Sequence, residues 1–282
     1  MENTEMEMTI FGTDAVPVNQ KKQAKKPLIV GIAAVAVVAV TFLIILASSK
    51  KTAEGFTVLN TNKSVYSPNE MAVILISTTD KEGKTLCHSN LEVMVTGPDK
   101  TNIGLSTENE MLPTSTTCAE DGTVTNNPDY QSGFVPKLEG IYKIKLTNLD
   151  TNAVIEKKIG VKKDIDFNIE RQTTTRLNPS ETVRYHMVLK IFSKNNFKGQ
   201  VVETIPSSIK IAWVGEAKLE AEKITWGVDI KAGETKELIY DYVNPTTELK
   251  IYDFGPASMS IGSRRVFAET SSWQGINAYA TK

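Results

Sequence analysis

The chain has 282 residues, enough for one membrane anchor and one or two domains of ordinary size. Its 32 basic and 33 acidic side chains cancel to a formal charge of -1, which excludes the broad positive field used to hold nucleic acid and any general attraction to acidic polymers. A partner has to be selected locally.

In chain order, residues 1–27 are polar and too poor in apolar groups to offset the entropy of ordering. They read as a disordered cytoplasmic tail. Residues 28–47 (LIVGIAAVAVVAVTFLIILA) carry no charge and only Thr41 as a polar interruption. At about 1.5 Å per residue such a stretch matches a hydrocarbon layer of roughly 30 Å, so it reads as a transmembrane helix seated in membrane lipid. A buried helix of a water-soluble core would show a polar face. Lys21, Lys22, Lys25 and Lys26 precede the span, and Lys50 and Lys51 follow it. The positive-inside bias therefore places the N-terminus in the cytoplasm and the remainder outside, extracellular or periplasmic. Small residues at Ala47, Ser48 and Ser49 leave cleavage after the span open, although a signal peptide normally uses an apolar stretch of about 7 to 15 residues. A pilin-type helix would carry an early glutamate, which is missing here.

From residue 54 onward short alternating runs are broken by Gly, Pro, Asn and Asp, as in an all-β sandwich. The expected architecture is an all-β extracytoplasmic region of two Ig-like antiparallel β-sandwiches, over residues 54–163 and 164–282, behind one N-terminal transmembrane helix. The first sandwich is predicted to hold strands at Met71–Ser77, Leu91–Thr96, Ile141–Thr147 and Val154–Val161. Turns are expected at Lys81-Glu82-Gly83-Lys84 and Gly97-Pro98-Asp99, and a charged junction over Lys162–Asp166. The second has its clearest strand from Thr182, with Val183, Tyr185, Met187, Leu189 and Ile191 on one face and Arg184, His186 and Lys190 on the other. Further strands are predicted at Gly199–Glu203, Ile209–Val214, Lys223–Val228, Glu237–Val243 and Ala257–Ile261. Trp213, Trp226 and Trp273 all fall in this half, which predicts an aromatic core.

These residues also carry family resemblances. The run Thr61-Asn62-Lys63-Ser64-Val65-Tyr66-Ser67-Pro68-Asn69-Glu70 before an apolar strand resembles the opening of a macroglobulin-type or bacterial Ig-like domain, and Glu139-Gly140-Ile141-Tyr142-Lys143 its Gly-x-Tyr strand. Val202-Glu203-Thr204-Ile205-Pro206, then Ile224-Thr225-Trp226, then Ala232-Gly233-Glu234-Thr235 is similar to repeat domains of bacterial and archaeal surface proteins. Phe254-Gly255-Pro256 with Phe267-Ala268-Glu269 and Trp273-Gln274 looks like the end of a family of predicted surface proteins from uncultured microbes, with Ser271 where that family carries arginine. The resemblance implies a surface location and this architecture. It supplies no catalytic motif, and the macroglobulin thioester signature does not occur in the sequence.

Cys87 and Cys118 are the two cysteines. An even count outside the cytoplasm points to a disulfide, the competing readings being two buried free thiols or a metal site, which lacks further ligands. His88 follows Cys87 directly, but neighbours on an extended strand face opposite ways, so a Cys-His dyad does not assemble. With His186 as the other histidine, no zinc or triad constellation can be built. Asp164 and Asp166, with Glu170 nearby, offer hard oxygen ligands at the junction and are the candidate Ca²⁺ ligands; no other cofactor is expected. Glu120-Asp121-Gly122 with Asn126, Asn127 and Asp129 forms a second oxygen-rich loop that is equally rich in turn formers. Asn62-Lys63-Ser64 is the one glycosylation sequon. Phe267, Trp273 and Tyr279 are candidate contact aromatics or core residues. The function expected is a cell-surface protein acting in adhesion, binding or envelope scaffolding through an unidentified protein or glycan partner, with no nucleic acid and no catalysis. An accessory subunit of an envelope assembly and a carboxylate-based glycan hydrolase are the alternatives.

Overall fold

The computed structural model describes residues 55–120 and 127–277. The expected tail and membrane span lie outside the described residues. Among the described residues the regular elements are all strands, and no helix there is long and apolar enough to cross a membrane.

The first half contains β1 (Gly55–Thr61), β2 (Val65–Tyr66), β3 (Ala72–Asp80), β4 (Leu91–Thr96), β5 (Asn102–Ser106), β6 (Tyr130–Phe134), β7 (Gly140–Asn148) and β8 (Ala153–Val161). A three-stranded sheet of order β1-β3-β6 faces a five-stranded sheet of order β2-β8-β7-β4-β5. The alternation of β7 turns Tyr142, Ile144 and Leu146 inward and Ile141, Lys143 and Lys145 to solvent. The register sets Ile144 beside Val95 and Leu146 beside Val93, so the ladder itself aligns the apolar faces. Leu59, Ile74, Ile76 and Tyr130 come from the opposite sheet to close the cluster. Each fully buried aliphatic side chain of this kind stabilises the fold by about 1.5–3 kcal/mol.

The second half contains β9 (Phe167–Gln172), β10 (Arg176–Leu177), β11 (Ser180–Ser193), β12 (Phe197–Thr204), β13 (Lys210–Trp213), β14 (Lys218–Glu220), β15 (Lys223–Ile230), β16 (Thr235–Asn244), β17 (Ile251–Phe254), β18 (Ser258–Ile261), β19 (Arg264–Ala268) and β20 (Trp273–Asn277). Its sheets run β13-β16-β11-β9 and β14-β15-β12-β18-β19, with a small third sheet of order β10-β20-β17. The core is aromatic as expected: Tyr240, Tyr242, Phe254, Trp226 and Trp273 are buried, and the Tyr242 and Phe254 rings lie 4.8 Å apart. Trp213 departs from this group and is 51% exposed. Two short pairings, β2 with β8 and β10 with β20, are parallel, a detail that alternation within single strands does not encode.

The described residues belong to one compact unit. Leu75 of the first half packs against the core cluster of the second, and β1 lies beside β20.

Candidate functional site

The surface where the halves meet is built largely from polar groups, and most of them are buried. The Asn60 amide donates to the Gln274 carbonyl at 2.8 Å and accepts the Gln274 N–H at 2.8 Å. One side chain thus makes both bonds of a strand rung. The Ser77 and Thr175 hydroxyls meet at 2.7 Å. Arg171 N–H donates to the Asn62 carbonyl at 2.8 Å, and the Asn168 amide donates to the Val65 carbonyl at 3.0 Å. Asn62 of the sequon also accepts the Tyr66 hydroxyl at 2.8 Å.

Three charged side chains, Arg176, Asp129 and Lys157, sit inside this contact. Arg176 of β10, fully buried, places Nε 3.1 Å from Asp129 Oδ1 and donates through Nη1 to Thr85. Thr78 N–H donates to the other Asp129 oxygen at 2.9 Å. Burial raises the Asp129 carboxyl to about 6, and Arg176 and the Thr78 and Ser77 donors oppose that rise. On the other side, Lys157 Nζ donates to the Ser272 carbonyl at 2.6 Å and to Asn60 at 3.3 Å. Burial lowers its pKa to about 8 against the pull of Asp253 and Glu269. Inside the second half, Arg171 holds two carboxylates. Nη1 and Nη2 donate to Glu203 at 2.7 and 2.6 Å, and Nε and Nη2 donate to Glu269 at 2.8 and 2.5 Å. All three side chains are at most 3% exposed. Burial alone would lower the Arg171 pKa, and the two carboxylates together raise it well above its usual value. This carboxylate pair is closed to solvent and clamped on a cation, the opposite of the open acid and base that glycoside hydrolysis requires.

The candidate Ca²⁺ ligands border a groove at the junction. Asp164 and Glu170 line it together with Lys63, Glu70, Lys190 and Lys194. Asp164 pairs with Lys194 at 3.1 Å, and Lys63 bridges Glu70 at 2.7 Å and Glu170 at 3.5 Å. Asp166 supplies its main-chain carbonyl to the Lys194 N–H. Among the described residues no group of three or more His, Cys, Asp or Glu side chains is placed to hold a metal ion. Lysines share the groove with the carboxylates, which is why an acidic run in the sequence does not become a convergent oxygen set. In the second oxygen-rich loop, Glu120 meets Lys84 at 3.5 Å and Asp129 is the buried partner of Arg176; residues 121–126 lie outside the described residues.

Cys87 and Cys118 form a disulfide, so Cys87 is not a nucleophile, and His88 beside it faces solvent. Of the contact aromatics, Trp273 is a core residue, 3% exposed, whose indole N–H donates to the Thr174 carbonyl. Phe267 packs against the core, and Tyr279 lies outside the described residues. The exposed face of β13-β16-β11-β9 carries an arrangement that reading along the sequence misses. His186 Nδ1 lies 2.6 Å from Asp241 Oδ1, and Trp213 pairs in register with Asp241. These three residues are 27 and 28 positions apart in turn, in the order His186, Trp213, Asp241, and only the strand pairing joins them. The polar outward face from Arg184 to Lys190 was the available signal.

The fold and these contacts define an all-β sandwich protein with a disulfide. No protein-family model and no curated protein sequence matches the chain. Among solved structures, 82% of the chain is similar to Escherichia coli alpha-2-macroglobulin in its native conformation, with 11% identity, a TM-score of 0.34 and coverage of 17% of that chain. Salmonella alpha-2-macroglobulin reacted with methylamine is similar over 83% of this chain and 15% of its own, with 14% identity and a TM-score of 0.30. A DUF4785 family protein from Legionella pneumophila aligns over 79% of this chain and 57% of its own, with 11% identity and a TM-score of 0.27. The chain therefore spans less than a fifth of the length of the macroglobulins it resembles.

Proposed function

We propose that the chain is a membrane-anchored cell-surface protein whose tandem Ig-like β-sandwiches act by contact, in adhesion, binding or envelope scaffolding, without catalysing a reaction. The observation that carries this reading is the polar contact between the halves. Asn60, Ser77, Asp129, Lys157, Arg176 and Gln274 tie the two sandwiches at several points, so a load or a ligand on one is transmitted to the other. A spacer needs such stiffness. The Cys87–Cys118 bridge fits an oxidising compartment, and residues 28–47 would hold the protein in lipid with the β region outside.

The test is peptide mapping of unreduced, membrane-purified protein after protease treatment of intact cells. The expected result is a protected fragment containing residues 28–47 and a shed outer region carrying the Cys87–Cys118 crosslink. Protection of the β region, or loss of residues 28–47 from the mature protein, would overturn the anchored surface reading.

A further inference from the structure

On the exposed face of β13-β16-β11-β9, three side chains from three strands stand in one transverse row. The register places Trp213 of β13 beside Asp241 of β16, and Asp241 beside His186 of β11. Partners in an antiparallel ladder share a face, with Cβ atoms about 4.5–5.5 Å apart. The flanking partners Ile211, Tyr242 and Tyr185 turn to the core, so indole, carboxylate and imidazole all point outward. A β-bulge between Ile211 and Trp213 breaks the regular pairing there, and bulges re-aim side chains.

The row is held in place. His186 Nδ1 lies 2.6 Å from Asp241 Oδ1, with the imidazole 67% exposed and the carboxylate 14% exposed. Gly215 adopts φ +61°, and a Cβ at that position would stand 3.3 Å from the Trp213 ring. The glycine thus leaves room for the ring to lie across the chain. A single exposed apolar residue is ordinary; a seated indole beside an oriented carboxylate and imidazole is a small apolar platform edged by hydrogen-bonding groups, the composition of a ligand subsite.

We propose that Trp213, Asp241 and His186 form a carbohydrate subsite that takes one pyranose residue of a glycan, its C–H face on the indole and its rim hydroxyls on Asp241 and His186. The match lies in the two-sided character of both partners. A pyranose presents C–H groups on a flat face and hydroxyls around its edge. The indole covers the first, the Asp241 carboxylate accepts from a hydroxyl, and His186 Nε2, the ring nitrogen not engaged by Asp241, exchanges a hydrogen bond with another. A quaternary ammonium group would call for aromatic walls on several sides, and a polyproline segment for a groove lined by several rings. Here one ring is combined with two hydrogen-bonding groups.

This inference rests on the reading of the protein as a contact protein and names the class of ligand. The experiment uses the full-length chain in detergent on an array of pyranose oligosaccharides, with choline and a polyproline peptide as the other arms. Trp226 and Trp273 are buried at 6% and 3% exposure, so acrylamide-quenchable fluorescence reports Trp213 directly. The expected result is binding to a subset of the glycans, shielding of Trp213 from acrylamide by those glycans, and at least about tenfold weaker binding by Trp213→Ala. Asp241→Asn, which keeps the shape of the side chain, should also weaken binding and serves as the second variant should Trp213→Ala fail to fold. Absence of glycan binding, undiminished binding by both variants, or shielding only by choline or polyproline would overturn the proposal. Glycan binding by a protein whose β region is shielded in cells would defeat the surface reading alone; a surface-exposed region that binds no glycan would defeat this one alone.

Discussion

At the scale of single residues, Arg171 sets the energetics of the second core. One guanidinium satisfies four carboxylate oxygens, and the remaining bonds come from the Tyr240 hydroxyl to Glu203 at 3.2 Å and the Ala257 N–H to Glu269 at 2.6 Å. Arg171→Met would leave Glu203 and Glu269 buried without their cation. We expect a loss of about 3–5 kcal/mol, read as a lower urea midpoint at unchanged slope. Gly255 is tied to the same group: at φ +85° a Cβ would collide with the Arg171 guanidinium. Gly255→Ala combines that collision with an unfavourable backbone conformation, and a loss of about 2–3 kcal/mol is expected in the same titration. The sequence displays Glu203 and Glu269 as ordinary strand and tail charges. Their role follows from a partner 32 and 98 positions away, a separation that no local pattern spans.

At the scale of elements, legibility follows from which faces a strand covers. Leu91–Thr96 has one wet face and one dry face, and its observed bounds match the expected ones. The long strand through Tyr185, Met187, Leu189 and Ile191 was equally readable, reaching from Ser180 to Ser193. β1 gave no such signal. Its run of four buried residues includes Thr57 and Asn60, because its surroundings include the second half as well as its own core. β20 escaped for the same reason, with Gly275 and Asn277 buried in its ladder. The Cys87–Cys118 bridge is an element-scale device, joining the β3–β4 connection to the β5–β6 connection across 31 positions. Replacing both cysteines by serine should cost about 3–4 kcal/mol through the freed unfolded chain. Thermal melts of the wild-type protein with and without reductant should show the same lowering, and the double variant should no longer respond to reductant.

At the scale of the whole molecule, the charged groups between the halves make stability depend on pH in a two-sided way. The Asp129 carboxyl moves from 3.8 to about 6 on folding. The folded protein holds that proton more tightly, so the contribution is fully present below about pH 4 and is lost as pH rises through about 6. Lys157 moves from 10.5 to about 8. There the unfolded chain holds the proton more tightly, and stability is gained as pH rises from about 8 to about 10.5. Each swing amounts to about 3 kcal/mol. These two groups therefore place a stability minimum between about pH 6 and 8. Urea titrations at about pH 5, 7 and 10 should show Lys157→Met losing the alkaline gain and Asp129→Asn losing the acid-side change, each leaving the other limb in place.

The reciprocal amide bonds of Asn60 and Gln274 bear on how the chain survives its own synthesis. The half that leaves the ribosome first must wait for its neighbour with a docking face uncovered, and an oily face left waiting recruits other unfinished chains. Much of the face here is amide, hydroxyl and ammonium, which water can solvate in the interval. A half-made or momentarily parted molecule accordingly shows water a face in which amides and hydroxyls stand beside apolar groups such as Leu75, and such a face is less prone to clump than an oily one.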